Sequence, residues 1–262
     1  MRIFAVILAC LAIFSCSRDV EAPRAEALRI LFVGNSLTYA GNLPAVFDAL
    51  SEANGRATAS DMIVIGGGTL TERLADGSVA AALANGKYSY VVLQERGGDF
   101  MCAFGPESCD NALASLNKLT RLVQEHGAVP LLLGTFQAHP EGSKSIVATE
   151  SFAAREAGLD YISVSERLQQ LRARHPDMAW LAPDGGHPGA DLTLLEAVLL
   201  FERIHGAKPG STAFTVSAQI YEGMSPLTPE LRAATAVIEG LDVPSSVRYD
   251  SERILAVMEG AE

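Results

Sequence analysis

Three residues of this chain have the types that nucleophilic catalysis needs: Ser36, Asp184 and His187. Ser36 ends the stretch RILFVGNS, in which Ile30 to Val33 run into a glycine, an asparagine and then the hydroxyl. A serine hydroxyl is a weak nucleophile until a base takes its proton and a third group orients that base. Of the five histidines, His187 has an aspartate three residues before it, in LAPDGGHPGADL. That spacing lets one turn carry both groups, with Asp184 holding one ring nitrogen and the other facing Ser36. A capping aspartate beside a surface histidine is the plainer alternative for such a pair. His126 and His205 close helices, where a cation suits the helix dipole. His175 precedes a proline in a turn. His139, in TFQAHPEG, follows a strand and could line a substrate site. No Cys or His pair stands at ligand spacing and no Walker-type loop occurs, so neither a metal nor a cofactor is expected.

The elements around these residues alternate. Ile30 to Val33, Met62 to Ile65, Tyr90 to Leu93, Val129 to Leu133 and Tyr161 to Val164 read as short, continuously apolar strands. Between and after them, Pro44 to Ala53, Thr71 to Asn85, Asp110 to His126, Ser145 to Ala157, Ser165 to Arg174 and Asp191 to His205 read as helices. Thr228-Pro229-Glu230 has the pattern of a further helix start, a capping residue with proline in the first turn. Residues 207–227 and 240–250 show no clear period. Strand and helix in alternation, with strands apolar throughout, predict a parallel sheet covered on both faces. Ligands in such sheets sit at the C-terminal strand ends, where Ser36, the GGG of residues 66–68 and Gln94 fall.

In order along the chain, Gly34-Asn35-Ser36-Leu37, Gly67 in GGGTL, the VVLQE segment and Asp184-Gly-Gly-His187 resemble the motif blocks of the SGNH (GDSL-type) hydrolases, over roughly Leu28 to His205. The resemblance implies a flavodoxin-like α/β/α sandwich of three layers with a central parallel sheet of about five strands. It also implies a Ser-His-Asp esterase working without metal or cofactor. Ser36 takes the nucleophile position, His187 is base and then acid, and Asp184 orients it. The oxyanion hole would use the N–H groups of Ser36 and Gly67 and a side-chain amide near the third strand. The usual Gly-x-Asn-Asp block is missing there; Gln94, with the same amide one methylene longer, is the expected third donor. Asn35 is expected to brace the turn or touch substrate, and Glu95 to line the substrate site or merely pair with Arg96 and Asp99 on its own loop. The implied substrate is a carboxylic ester, first of all a short acyl group such as acetyl on carbohydrate, with lipid and thioester as rivals. An SGNH-fold binding lipoprotein without turnover is the alternative.

The N-terminus begins MRIFAVILACLAIFSCSRD. Its apolar run is too short to span a bilayer and suits a signal-peptide core. Ile13-Phe14-Ser15-Cys16 resembles a bacterial lipobox, which would make 1–15 a signal peptide, Cys16 the lipidated residue, 16–27 a tether and 28–262 the hydrolase domain. The expected location is then the bacterial cell envelope, facing the periplasm, with the outer membrane favoured because Ser17 carries no retention signal. Membrane contact would run through that anchor alone. In such an oxidising compartment Cys102 and Cys109 are expected to form a disulfide. A formal charge of -11 over 262 residues repels phosphate backbones and argues against a nucleic-acid partner.

Overall fold

A computed structural model describes residues 27–259. Strand β1 (Leu28–Gly34) pairs in parallel with β2 (Thr58–Val64) on one side and β3 (Tyr90–Leu93) on the other. The sheet continues in parallel through β4 (Val129–Leu133) to β5 (Asp160–Ile162). The five-strand order 2-1-3-4-5 is flavodoxin-like, with its switch point between β1 and β3. This is the predicted sandwich.

Alternation along β1 shows why both faces are covered. Ile30 and Phe32 enter one core and Leu31 and Val33 the other, and all four are fully buried. The first core is closed by α2 (Leu43–Ala53), α7 (Val164–Arg174) and α8 (Ala190–His205). The second is closed by α3 (Leu70–Ala75), α4 (Ser78–Asn85), α5 (Pro106–Glu125) and α6 (Pro140–Ala157). The short helix α1 (Ser36–Tyr39) sits between β1 and α2.

Three features differ from the sequence reading. Thr71 to Asn85 is two helices rather than one, because Asp76 and the left-handed Gly77 break the run and Asp76 accepts the Ser78 N–H. No helix starts at Thr228. Instead β7 (Arg232–Ala233) adds an antiparallel edge strand against Asp61 and Met62, and the Arg232 guanidinium folds back onto Thr228. The stretches without a clear period contain β6 (Phe214–Val216) and β8 (Val247–Tyr249), an antiparallel pair leading into α9 (Ser251–Met258). Cys102 and Cys109 are disulfide-bonded. No described helix is long and apolar enough to cross a membrane. Residues 1–26, including Cys16 and the signal-peptide reading, lie outside the described residues.

Candidate active site

Ser36 is the first residue of α1, directly after the buried C-terminal end of β1. Asn35 caps that helix: its side-chain oxygen accepts the Leu37 N–H at 3.0 Å, while its own amide nitrogen is buried without a partner. Asn35 thus braces the turn. As the first residue of a helix, Ser36 has no carbonyl one turn back to receive its N–H. Among the described residues that N–H and the N–H of Gly67 donate to no protein acceptor. Gly67 lies exposed on the rim beyond β2 with φ +66, and nothing lies within 4 Å of where its Cβ would stand. Two unpaired N–H groups at the C-terminal edge of the sheet are what an oxyanion needs.

The other half of the site is a loop. Leu181 and Pro188 form an antiparallel bridge, and Ala182 donates to the His187 carbonyl at 2.9 Å. Asp184 and His187 are thereby held on one tight turn. One Asp184 oxygen accepts the N–H groups of Gly186 (2.9 Å) and His187 (3.0 Å); the other is 2.6 Å from His187 Nδ1. The Gly186 N–H and then the imidazole hold the Asp184 carboxyl down at about 2, although its side chain is 44% exposed. It is therefore ionised at any working pH and fixes the tautomer with Nε2 free to act as base. Beneath the loop, Asp191 accepts the Ala179 N–H at 2.6 Å and pairs with Arg253 of α9. Gly189 packs so closely that a Cβ would stand 2.2 Å from the Ala179 carbonyl oxygen.

The two halves meet at one place. Gly41, just after α1, packs on Thr193 in the first turn of α8. The His187 ring lies against Gly223, whose carbonyl accepts the Tyr39 hydroxyl at 2.7 Å. A cavity of about 580 Å³ touches Ala40 and Gly41 on one side and Asp184 and Gly223 on the other. Among the described residues no hydrogen bond joins Ser36 Oγ to His187; such bonds commonly tighten only around substrate.

Gln94 stands elsewhere than expected. It is buried, its side-chain oxygen accepts the Thr38 hydroxyl at 2.6 Å, and its amide nitrogen approaches the Gly134 carbonyl at 3.5 Å. The amide faces Glu196 of α8, a fully buried carboxylate whose two oxygens have no partner in hydrogen-bond geometry. Burial pushes that carboxyl well above its ordinary range. Gln94 therefore supports α1 from below and gives no third donor in this structure. Glu95 is buried as well. It accepts the Leu70 and Arg96 N–H groups, anchoring the start of α3, and burial raises it to about 8. His139 is exposed and caps α6 through the Glu141 N–H. Among the described residues neither hydrogen-bonds Ser36, Asp184 or His187. Sequence reasoning missed Tyr39, Gly223 and Glu196. Glu196 alone had a local signal, a single charge inside LTLLEAVLLF.

No family model and no curated protein matches the sequence. Solved structures do match. A protein from Slackia heliotrinireducens assigned to the SGNH hydrolases is 26% identical, with a TM-score of 0.55, over 68% of this chain and 98% of its own. A DUF4886 family protein from Bacteroides uniformis is 20% identical (TM-score 0.56), over 70% of this chain and 84% of its own. Axe2, an acetylxylan esterase from Geobacillus stearothermophilus, is 16% identical (TM-score 0.52), over 68% and 94%.

Proposed function

We propose that this chain, whose fold is like that of SGNH hydrolases, is a serine esterase of the cell envelope that removes short acyl groups, acetyl first among them, from carbohydrate. The observation that carries this reading is the Asp184–His187 pair, seated on the segment that is also bonded to the helix bearing Ser36.

In this mechanism His187 Nε2 takes the Ser36 Oγ proton as Oγ attacks the ester carbonyl carbon. Charge moves to the carbonyl oxygen, which the Ser36 and Gly67 N–H groups receive; each such donor is worth roughly 3 kcal/mol of barrier. Asp184 remains ionised and steadies the imidazolium. The imidazolium then gives its proton to the departing alkoxide, leaving an acyl ester on Ser36. Water, activated by the same nitrogen, releases the acid and restores the hydroxyl. Exposed Gly66 and Gly67 make the rim open, which suits a bulky sugar carrying a small acyl group. The neighbouring cavity is of a size for a small organic ligand. The structural likeness to Axe2 supports acetylated carbohydrate as the first class to try. The envelope location rests on the N-terminal sequence, with Cys16 as the proposed lipid anchor.

Fluorophosphonate labelling tests the reading: Ser36 in the wild-type protein should be tagged and Ser36→Ala should not. Folded protein that is neither labelled nor active on acetylated sugars, short aryl esters or phospholipids would favour a binding lipoprotein. The inward Gln94 and the unbonded Ser36 hydroxyl are the observations on that side.

A further inference from the structure

A base that acts on Ser36 must keep its ring at one angle, and the Asp184 bond alone does not set that angle. A hydrogen bond to Nδ1 restrains the imidazole from one edge only, and Asp184 itself stands on an exposed turn. A second surface is needed, and the structure has one. A Cβ built on Gly223 would lie 2.2 Å from both Cγ and Nδ1 of His187 and 2.5 Å from Cε1. The bare backbone of Gly223 therefore lies flat against the ring, in space that no other residue could occupy without pushing the ring away.

That backbone is fixed from the nucleophile side. The buried Tyr39 hydroxyl donates to the Gly223 carbonyl at 2.7 Å and reaches the Ser225 carbonyl at 3.2 Å. Gly41 donates to the Tyr221 carbonyl at 2.9 Å, and Ala40 and Tyr221 form a bridge. The segment is also closed on itself, with Ser225 donating to the Glu222 carbonyl and the Glu222 N–H to Ser225 Oγ, each at 3.0 Å. Tyr39 ends the helix that Ser36 begins.

We propose that Tyr39 and Gly223 are positioning residues for His187: the tyrosine pins the Tyr221–Ser225 segment as a backrest for the imidazole, so the helix carrying the nucleophile also sets the angle of its base. This rests on the esterase reading above for its kinetic consequence, but not for its structural one. Core packing alone would explain a bonded tyrosine. It would not explain a carbonyl chosen from a residue whose backbone packs on the ring.

The test compares wild type with Gly223→Ala and Tyr39→Phe. Far-downfield proton NMR reads the His187 Nδ1 proton, identified by its loss in Asp184→Asn, and steady-state kinetics are run on the best ester substrate. Gly223→Ala should lower kcat roughly 100-fold, since a displacement near 1 Å costs about that much. KM should stay within about threefold, and the downfield signal should shift or vanish. Tyr39→Phe should move both readouts in the same direction by a smaller amount. It removes one oxygen from a buried ring, so it serves as the second variant if Gly223→Ala does not fold. Folded variants with a wild-type signal overturn the proposal, whether or not kcat falls. A wild-type protein without esterase activity would sink the esterase reading and leave the NMR comparison to decide this one.

Discussion

Ser36 and His187 are held by opposite kinds of structure. The serine stands just past the end of β1, whose neighbours are in register and whose side chains fill two cores. The imidazole stands on an irregular turn kept in shape by three supports: Asp184 above, Asp191 with Arg253 below, and Gly223 alongside. A sheet fixes a residue through many small contacts, so single substitutions there mainly cost stability. A turn fixes a residue through a few strong ones, so each support is a separate point of failure.

Asp184→Asn attacks that side hardest. Turnover should fall about 10³- to 10⁴-fold, as when a triad acid is replaced by its amide. The unfolding temperature should barely move, since the amide oxygen of asparagine can still accept the Gly186 and His187 N–H groups. An equal loss of stability would mean that the turn, and not the tautomer, depends on the carboxylate. Because Asp184 is held at about 2, any loss of wild-type activity between pH 4 and 7 must come from another group, and a kcat/KM profile falling only near pH 2 would break the assignment.

Asp191→Ala should come next. It leaves the Ala179 N–H and the Arg253 guanidinium without their shared partner, at a cost of about 3 kcal/mol in urea unfolding. Activity should fall too, because the base of the catalytic turn is loosened. Cys102→Ser should cost roughly 2 kcal/mol through the small loop it opens, with kcat unchanged. That contrast separates general stability from support of the imidazole.

The remaining expected effect, on the sheet side, is a change of stability with pH. Glu95 is raised from 4.5 to about 8, first by burial. Between those values the unfolded chain has lost this proton while the folded one keeps it. Stability therefore falls as pH rises through that window. Glu95→Gln should remove the fall, matching wild type near pH 4 and exceeding it at pH 9 in urea midpoints. Equal midpoints for the two proteins at pH 9 would show that the carboxyl is not protonated in the fold.

The strands were legible because each is announced by an apolar run, and the Asp184–His187 pair because its members stand at a fixed spacing within one turn. Gln94 was misplaced for a reason the sequence also contains. Val92 faces the core under α8, and a residue two places further along a strand keeps the same face. Its amide was therefore aimed inward at Glu196 from the start. The helix expected at Thr228 failed because its backbone was taken up by the edge of β2 while its arginine folded back onto Thr228. The contact of Tyr39 with Gly223 spans 184 positions, and nothing near either residue hints at the other. Local pattern specifies the sheet; distant partners complete the turn.

The bridge between Ala40 and Tyr221 also sets an order of events during synthesis. A growing polypeptide can form its first strands early, but the ring of His187 has no resting place until Gly223 has left the ribosome. The resting angle of that ring is therefore among the last features the fold acquires.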